Sequence, residues 1–166
     1  MENEVLLRSS VESQFSFDAV EREYNLNDRL VKFSVVVLKI SRRFPKNPEA
    51  NIIADQIRRS GSAPSLHYAE AQAAESPKDF IHKMKVGLKE LRETFNALRI
   101  ANQMSWLPEE EFEWAIDEND QLIAIFFTSI RTAQNNNDED TKKGKDKRNR
   151  NTDDETNEDK NQSKKQ

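Results

Sequence analysis

Three stretches of this chain repeat apolar residues at alternating steps of three and four, a spacing that fits a helix and little else. Leu26, Leu30, Phe33, Val37, Ile40 and Phe44 step by 4, 3, 4, 3, 4, which gathers all six on one side of a 3.6-residue period. Ile81, Met84, Leu88, Leu91, Phe95 and Leu98 repeat the pattern. Phe112, Ile116, Asn119, Ile123, Phe126 and Ile130 repeat it again, with a single Asn inside the stripe. Nothing of period two competes, and only Gly61 and Gly87 precede the tail as glycine punctuation. Three long amphipathic helices are expected.

Their ends have chemical reasons. Ser76-Pro77-Lys78-Asp79 places a hydroxyl at N-cap, Pro at N1 and an acid at N3, a variant of the capping box. Pro108 followed by Glu109, Glu110 and Glu111 sets acids on the positive end of the last helix. Arg42-Arg43 before Phe44-Pro45 sets cations on the negative end of the first. Asp18 to Glu21 and Asn25 to Asp28 both read as N-caps for that first helix, and the later one is favoured.

Between Pro48 and Ala74, Ile52, Ile53 and Ile57 open a helix, and Tyr68, Ala69, Ala71 and Ala73 close one. The middle is Ser60-Gly-Ser-Ala-Pro-Ser65, which predicts one helix bent near Pro64, with room for a neighbouring backbone to approach. Four helices with short connections make an antiparallel, up-down four-helix bundle. Its core seams are expected on Phe33, Val37, Leu88, Leu91, Phe95, Ile123 and Phe126.

Composition sets the limits of that bundle. From Gln134 to Gln166 the chain has no Ala, Val, Ile, Leu, Met, Phe, Trp, Tyr or Cys. Nine acids and nine bases alternate there in blocks. With nothing apolar to bury, such a segment cannot offset its ordering entropy and is expected to be disordered. It acts either as a solubilising tail or as a docking tail through the basic block Lys142 to Arg150. The organisation is thus an N-terminal extension over 1–25, a bundle over 26–133 and a charged tail over 134–166. Zero Cys excludes disulfides and thiolate chemistry. The absence of an 18-residue apolar run and of a signal-peptide start predicts a soluble, cytoplasmic protein with no membrane partner.

No nucleotide-binding, serine-hydrolase or zincin motif occurs. A di-metal site in a bundle needs two Glu-x-x-His pairs and two further Glu, whereas this chain has only His67 and His82. No catalytic residue, metal ligand or cofactor site is therefore expected. The Arg59, Glu70, Lys83, Lys89, Glu90 and Glu93 constellation reads as interhelical ion pairing, with Arg59 and Glu70 joining Glu90 or Glu93. A polar binding surface is the alternative. Trp106 is expected to cap the bundle end, and Trp114 stands among acids that repel phosphate.

The stretch Ile57-Arg-Arg-Ser-Gly-Ser-Ala-Pro-Ser-Leu-His-Tyr-Ala-Glu-Ala-Gln-Ala-Ala-Glu-Ser76, followed by Lys78-Asp-Phe-Ile-His-Lys and Lys89-Glu-Leu-Arg-Glu-Thr94, resembles the small bacterial four helix bundle proteins, also called the 23S rRNA intervening-sequence protein family. The pattern is R-S-G-x-S, N-x-x-E-A, S-x-x-D-F-I-x-K and K-E-x-x-E-T, and the resemblance spans roughly 26–132. It carries Arg59, Ser60, Glu70, Asp79, Lys83, Lys89, Glu90 and Glu93 as family-motif polar residues, structural or binding. His67 stands at the family's usual Asn, and Pro64 departs from the pattern as well.

The resemblance implies a bundle that assembles into ring-shaped homo-oligomers, often pentamers, and it implies little chemistry. A distantly similar bundle is an RNA-binding accessory to the reverse transcriptase of diversity-generating retroelements, a likeness of fold. Two functions follow as expectations: a non-enzymatic homo-oligomeric scaffold or interaction module, or an RNA-binding accessory protein. The second needs bases segregated on one face, because the chain is net −4. Arg8, Arg22, Arg29, Lys32, Lys39, Arg42, Arg43 and Lys46 bias them toward the N-terminal third. The first needs an exposed apolar surface, and Val31, Val35, Val36, Leu38, Leu122, Ile125 and Phe127 are surplus to the seams. The alternative cover for them is Val5, Leu6, Leu7, Phe15 and Phe17 folding back.

Overall fold

The computed structural model describes residues 25–162, with side chains through 139. Residues 1–24, with the earlier candidate cap, Arg8, Arg22 and the fold-back residues, lie outside the described residues. Four helices run in order: α1 Leu26–Arg42, α2 Pro48–Gln72, α3 Pro77–Gln103 and α4 Glu110–Gln162. Among the described residues there is no strand, and no helix is long and apolar enough to cross a membrane.

Capping fixes three of the four starts. The Asn25 side chain accepts from the Asn27 amide, that of Asn47 from Ala50, and that of Ser76 from Asp79. Pro48 and Pro77 follow the second and third caps, where a missing N–H removes nothing. The later of the two candidate starts for α1 is the one used. At the C-terminus of α3 the chain turns through Ser105, a non-glycine residue with φ 51°. The Ser105 amide donates to Asn102 and the Trp106 amide to Ala101, the paired closure that usually recruits glycine.

Each helix packs against its chain neighbours, and α1 closes the ring against α4, while across one diagonal the rings of Tyr68 and Phe126 meet with centroids 6.2 Å apart. The core is built from Leu30, Phe33 and Val37 of α1, Ala54 and Ile57 of α2, Met84, Leu91 and Leu98 of α3, and Phe112, Leu122 and Phe126 of α4, all at or near zero exposure. Each such large apolar side chain contributes roughly 1.5–3 kcal/mol on burial. Phe44 stacks at a tilt on Trp106, centroids 5.2 Å apart, and lies 6.2 Å from Phe112. Trp106 thus closes one end of the bundle.

Gly61 of α2 and Gly87 of α3 lie where side chains of neighbouring helices press closest on the backbone. A Cβ on Gly61 would fall 2.5 Å from Val37 Cγ2, and one on Gly87 would fall 2.7 Å from Phe126 Cε1. The helix passes through Pro64 without a break. Ser34 Oγ stands 2.8 Å from the Leu30 carbonyl and 3.0 Å from that of Gly61, joining α1 to α2 beside the proline.

One feature of α4 differs from expectation. Leu122 is fully buried and Ile123 only partly so, because the face turned inward runs Phe112, Ala115, Asn119, Leu122, Phe126 and Ile130. Phe95, placed in the α3 seam, is likewise half-buried, and Thr94 takes the interior position. The backbone of α4 continues as helix to Gln162. The tail has no proline and one glycine, Gly144, to interrupt it. Past Ile130 no residue through 139 is fully buried, and Ala133 is the last described side chain packed against the core.

Candidate functional site

The family-motif polar residues fall into two groups on the α2–α3 hairpin. Near its turn, Lys83 Nζ lies 3.6 Å from Glu70 and 3.8 Å from Asp79, and His67 Nδ1 is 3.5 Å from Glu70. Glu70 therefore pairs across the hairpin with Lys83, not with Glu90 or Glu93. His67 is half-buried against the site where α3 has Gly87, while His82 is exposed.

Farther along, Arg59 donates to Gln56 Oε1 at 2.7 Å, within its own helix, and Gln56 Nε2 donates to Glu93 at 2.7 Å. The expected Arg59–Glu93 ion pair is thus replaced by a neutral amide standing between them. Lys89 reaches Glu93 at 3.3 Å. Ser60 is fully buried: it accepts from Thr94 Oγ1 at 2.8 Å and donates to the Gln56 carbonyl at 2.8 Å. The backbone carbonyl of Glu90 accepts the alternative Thr94 bond at 2.9 Å. Ser60 and Thr94 hold two helices in register, which is a structural task.

Among the described bases of the N-terminal third, Arg29, Lys32 and Arg43 contact α4, while Lys39, Arg42 and Lys46 stay exposed. Arg29 grips Glu118 with two bonds of 2.8 Å and reaches Gln121 at 3.0 Å. The hydrogen bond to Glu118 raises the Arg29 pKa further above its ordinary value, against the desolvation that lowers it. Arg43 pairs with Glu111, and Lys32 Nζ lies 5.8 Å from the Trp114 ring centroid. Those contacts sew α1 to α4.

A cationic face exists elsewhere. Lys78, His82, Lys85, Lys89, Arg92, Asn96 and Arg99 step by 4, 3, 4, 3, 4, 3 along α3, and every one is exposed. This stripe is the outward complement of the buried seam and contains no acid. Sequence reasoning missed it by counting bases along the chain instead of around each helix. Beside it, a groove of about 540 Å³ between α3 and α4 is lined by Lys85, Lys89, Arg92, Asn96, Phe127 and Gln134 among others.

The apolar surplus divides in a comparable way. Val31 and Val35 are 48% and 44% exposed, and Phe127 is 51% exposed. Leu38 and Ile125 are half-buried. Leu122 belongs to the core and Val36 packs against it, so neither is available to a partner. Phe127 opens on the α3–α4 groove, whereas Val31 and Val35 project from α1, which does not touch α3. Among the described residues no group of His, Cys, Asp and Glu is arranged to hold a metal ion.

No protein with a curated description matches this sequence. Among solved structures, a protein of unknown function from the S23 ribosomal protein family of Bacteroides thetaiotaomicron is similar, with 24% identity and a TM-score of 0.60. The match covers 64% of this chain and 98% of that one, and at this identity it is a likeness of fold. The sequence model described as 23S rRNA-intervening sequence protein matches residues 22–127, a span that holds the polar motif residues of the α2–α3 hairpin, and the chain belongs to that family.

Proposed function

We propose that this chain acts without catalysis, as a cytoplasmic homo-oligomeric scaffold whose subunits meet through α1. The observation that carries this reading is the pair Val31 and Val35, one turn apart and nearly half exposed on a helix whose opposite side is already buried. Leu38, a further turn along and half-buried, extends them into an i, i+4, i+7 row. A continuous apolar row on a folded domain marks a surface that is covered by a partner. Closed rotational symmetry is the usual arrangement for a self-complementary patch of this kind. A ring of five is the size that the family resemblance implies.

The Val31→Glu/Val35→Glu double variant tests the surface. Both side chains are outside the core, so the variant is expected to keep its helical circular dichroism. Its mass in light scattering is expected to fall to that of one chain. A variant that keeps the mass of the unaltered protein would remove α1 from the interface.

A further inference from the structure

We infer that the outward face of α3, together with the groove it shares with α4, binds single-stranded nucleic acid. The α3 stripe presents Lys78, Lys85, Lys89, Arg92 and Arg99 on one exposed line, about 31 Å long at 1.5 Å per residue. Residues three and four apart on a helix stand about 5–6 Å from each other, so the cations meet a ligand that carries a charge on every monomer. Among the described residues, Lys78, Lys85 and Arg92 have no carboxylate partner. The groove's single acid, Glu93, is held by Gln56 and Lys89. The chain is net −4 as a whole, but charges farther than a Debye length of about 8 Å are screened at physiological salt. The stripe itself therefore sets the local field.

The groove decides between kinds of polyanion. Phe127 presents a ring that is half exposed, a state that adds nothing to the core and suits an aromatic plane met by another. Asn96 and Gln134 flank it with amides that both donate and accept. Cations tracking a backbone beside an aromatic platform are the arrangement by which single strands are held without sequence preference. A base stacked on Phe127 needs to be free of its complementary strand. An acidic peptide would satisfy the cations and leave the ring unused. The face lies on α3 and α4, away from Val31 and Val35, so self-association through α1 leaves it open.

The test is fluorescence anisotropy of the full-length protein with a fluorescein-labelled 20-nucleotide oligouridylate, titrated at several KCl concentrations. Binding is expected to weaken with salt at a log–log slope of about −3, corresponding to about four phosphates on a single strand. Lys85→Gln/Lys89→Gln/Arg92→Gln is expected to weaken binding at least about tenfold at 100 mM KCl and to flatten the slope by about 2. Phe127→Ala is expected to weaken it about tenfold with the slope unchanged, because stacking releases no ions. Lys39→Gln/Arg42→Gln/Lys46→Gln removes the same charge from exposed positions near the end of α1 and is expected to bind as the unaltered protein does. No saturable binding at 50 mM KCl would overturn the inference. So would an equal loss in both triple variants, tighter binding of a duplex of the same length, or tighter binding of polyglutamate, which would reassign the face to an acidic protein.

Discussion

Ser105 and Asn119 are the residues whose environments disagree with their chemistry. Ser105 holds a left-handed backbone conformation at the end of α3, which costs a residue with a Cβ roughly 1–2 kcal/mol. Ser105→Gly is expected to raise stability by about 1 kcal/mol, seen as a rise of a few degrees in the melting temperature. Asn119 is fully buried, and among the described residues neither its side-chain nitrogen nor its oxygen has a hydrogen-bond partner. An amide in that state costs about 1–3 kcal/mol. Asn119→Leu, similar in volume, is expected to raise the midpoint of urea unfolding without changing its slope. A lower midpoint would mean that the amide is served in solution by a group not present in the isolated chain. The Asn was visible in the sequence as a lone polar residue in an apolar stripe. Its lack of partners was not, because that depends on which side chains face it from other helices.

At the scale of elements, the caps and the α1 and α3 seams were readable because each depends on residues within one or two turns. Ser76 with Pro77, and the Phe33–Val37–Ile40 spacing, needed no knowledge of neighbours. The inward face of α4 was harder. Leu122, Ile123, Ile125, Phe126 and Phe127 are consecutive or nearly so, so several registers bury a comparable set, and the packing of α1 and α3 chooses Leu122 over Ile123. Ion pairing failed for a related reason: matching opposite charges overlooks the uncharged Gln56 that intervenes between Arg59 and Glu93.

The Arg29 fork on Glu118 is the strongest polar link between α1 and α4, and both partners are largely buried. Arg29→Ala strands the Glu118 carboxylate and is expected to destabilise the bundle by about 2–3 kcal/mol in urea unfolding. A base with a raised folded pKa contributes stability that is complete below its unfolded value, and for an Arg that value already lies in strong alkali. The Arg29 contribution is therefore constant across neutral pH and is lost only in strong alkali. The α4 extension makes a separate prediction. Truncation after Ala133 removes no buried side chain among the described residues and is expected to leave the melting temperature within about 2 °C. A fall of several degrees would show that the tail docks on the bundle.

The whole molecule is a bundle whose two exposed specialisations lie on different helices: an apolar row on α1 and a cationic row on α3. In the proposed assembly the first would serve self-association and the second a ligand, and a closed ring would repeat the α3 face around its axis. Both faces are the outward halves of patterns whose inward halves were plain in the sequence. Surplus valines on α1 were visible there, and the division of the remaining candidates between core and surface was not, since it requires all four helices in place. Self-association is the claim on which the functional account rests, and multi-angle light scattering of the full-length protein at micromolar concentration measures it directly. With a chain mass of 19.3 kDa, the account predicts an integral multiple of that mass, about 96 kDa for the five-membered ring, reduced to one chain in Val31→Glu/Val35→Glu. A mass of 19.3 kDa for the unaltered protein would contradict it.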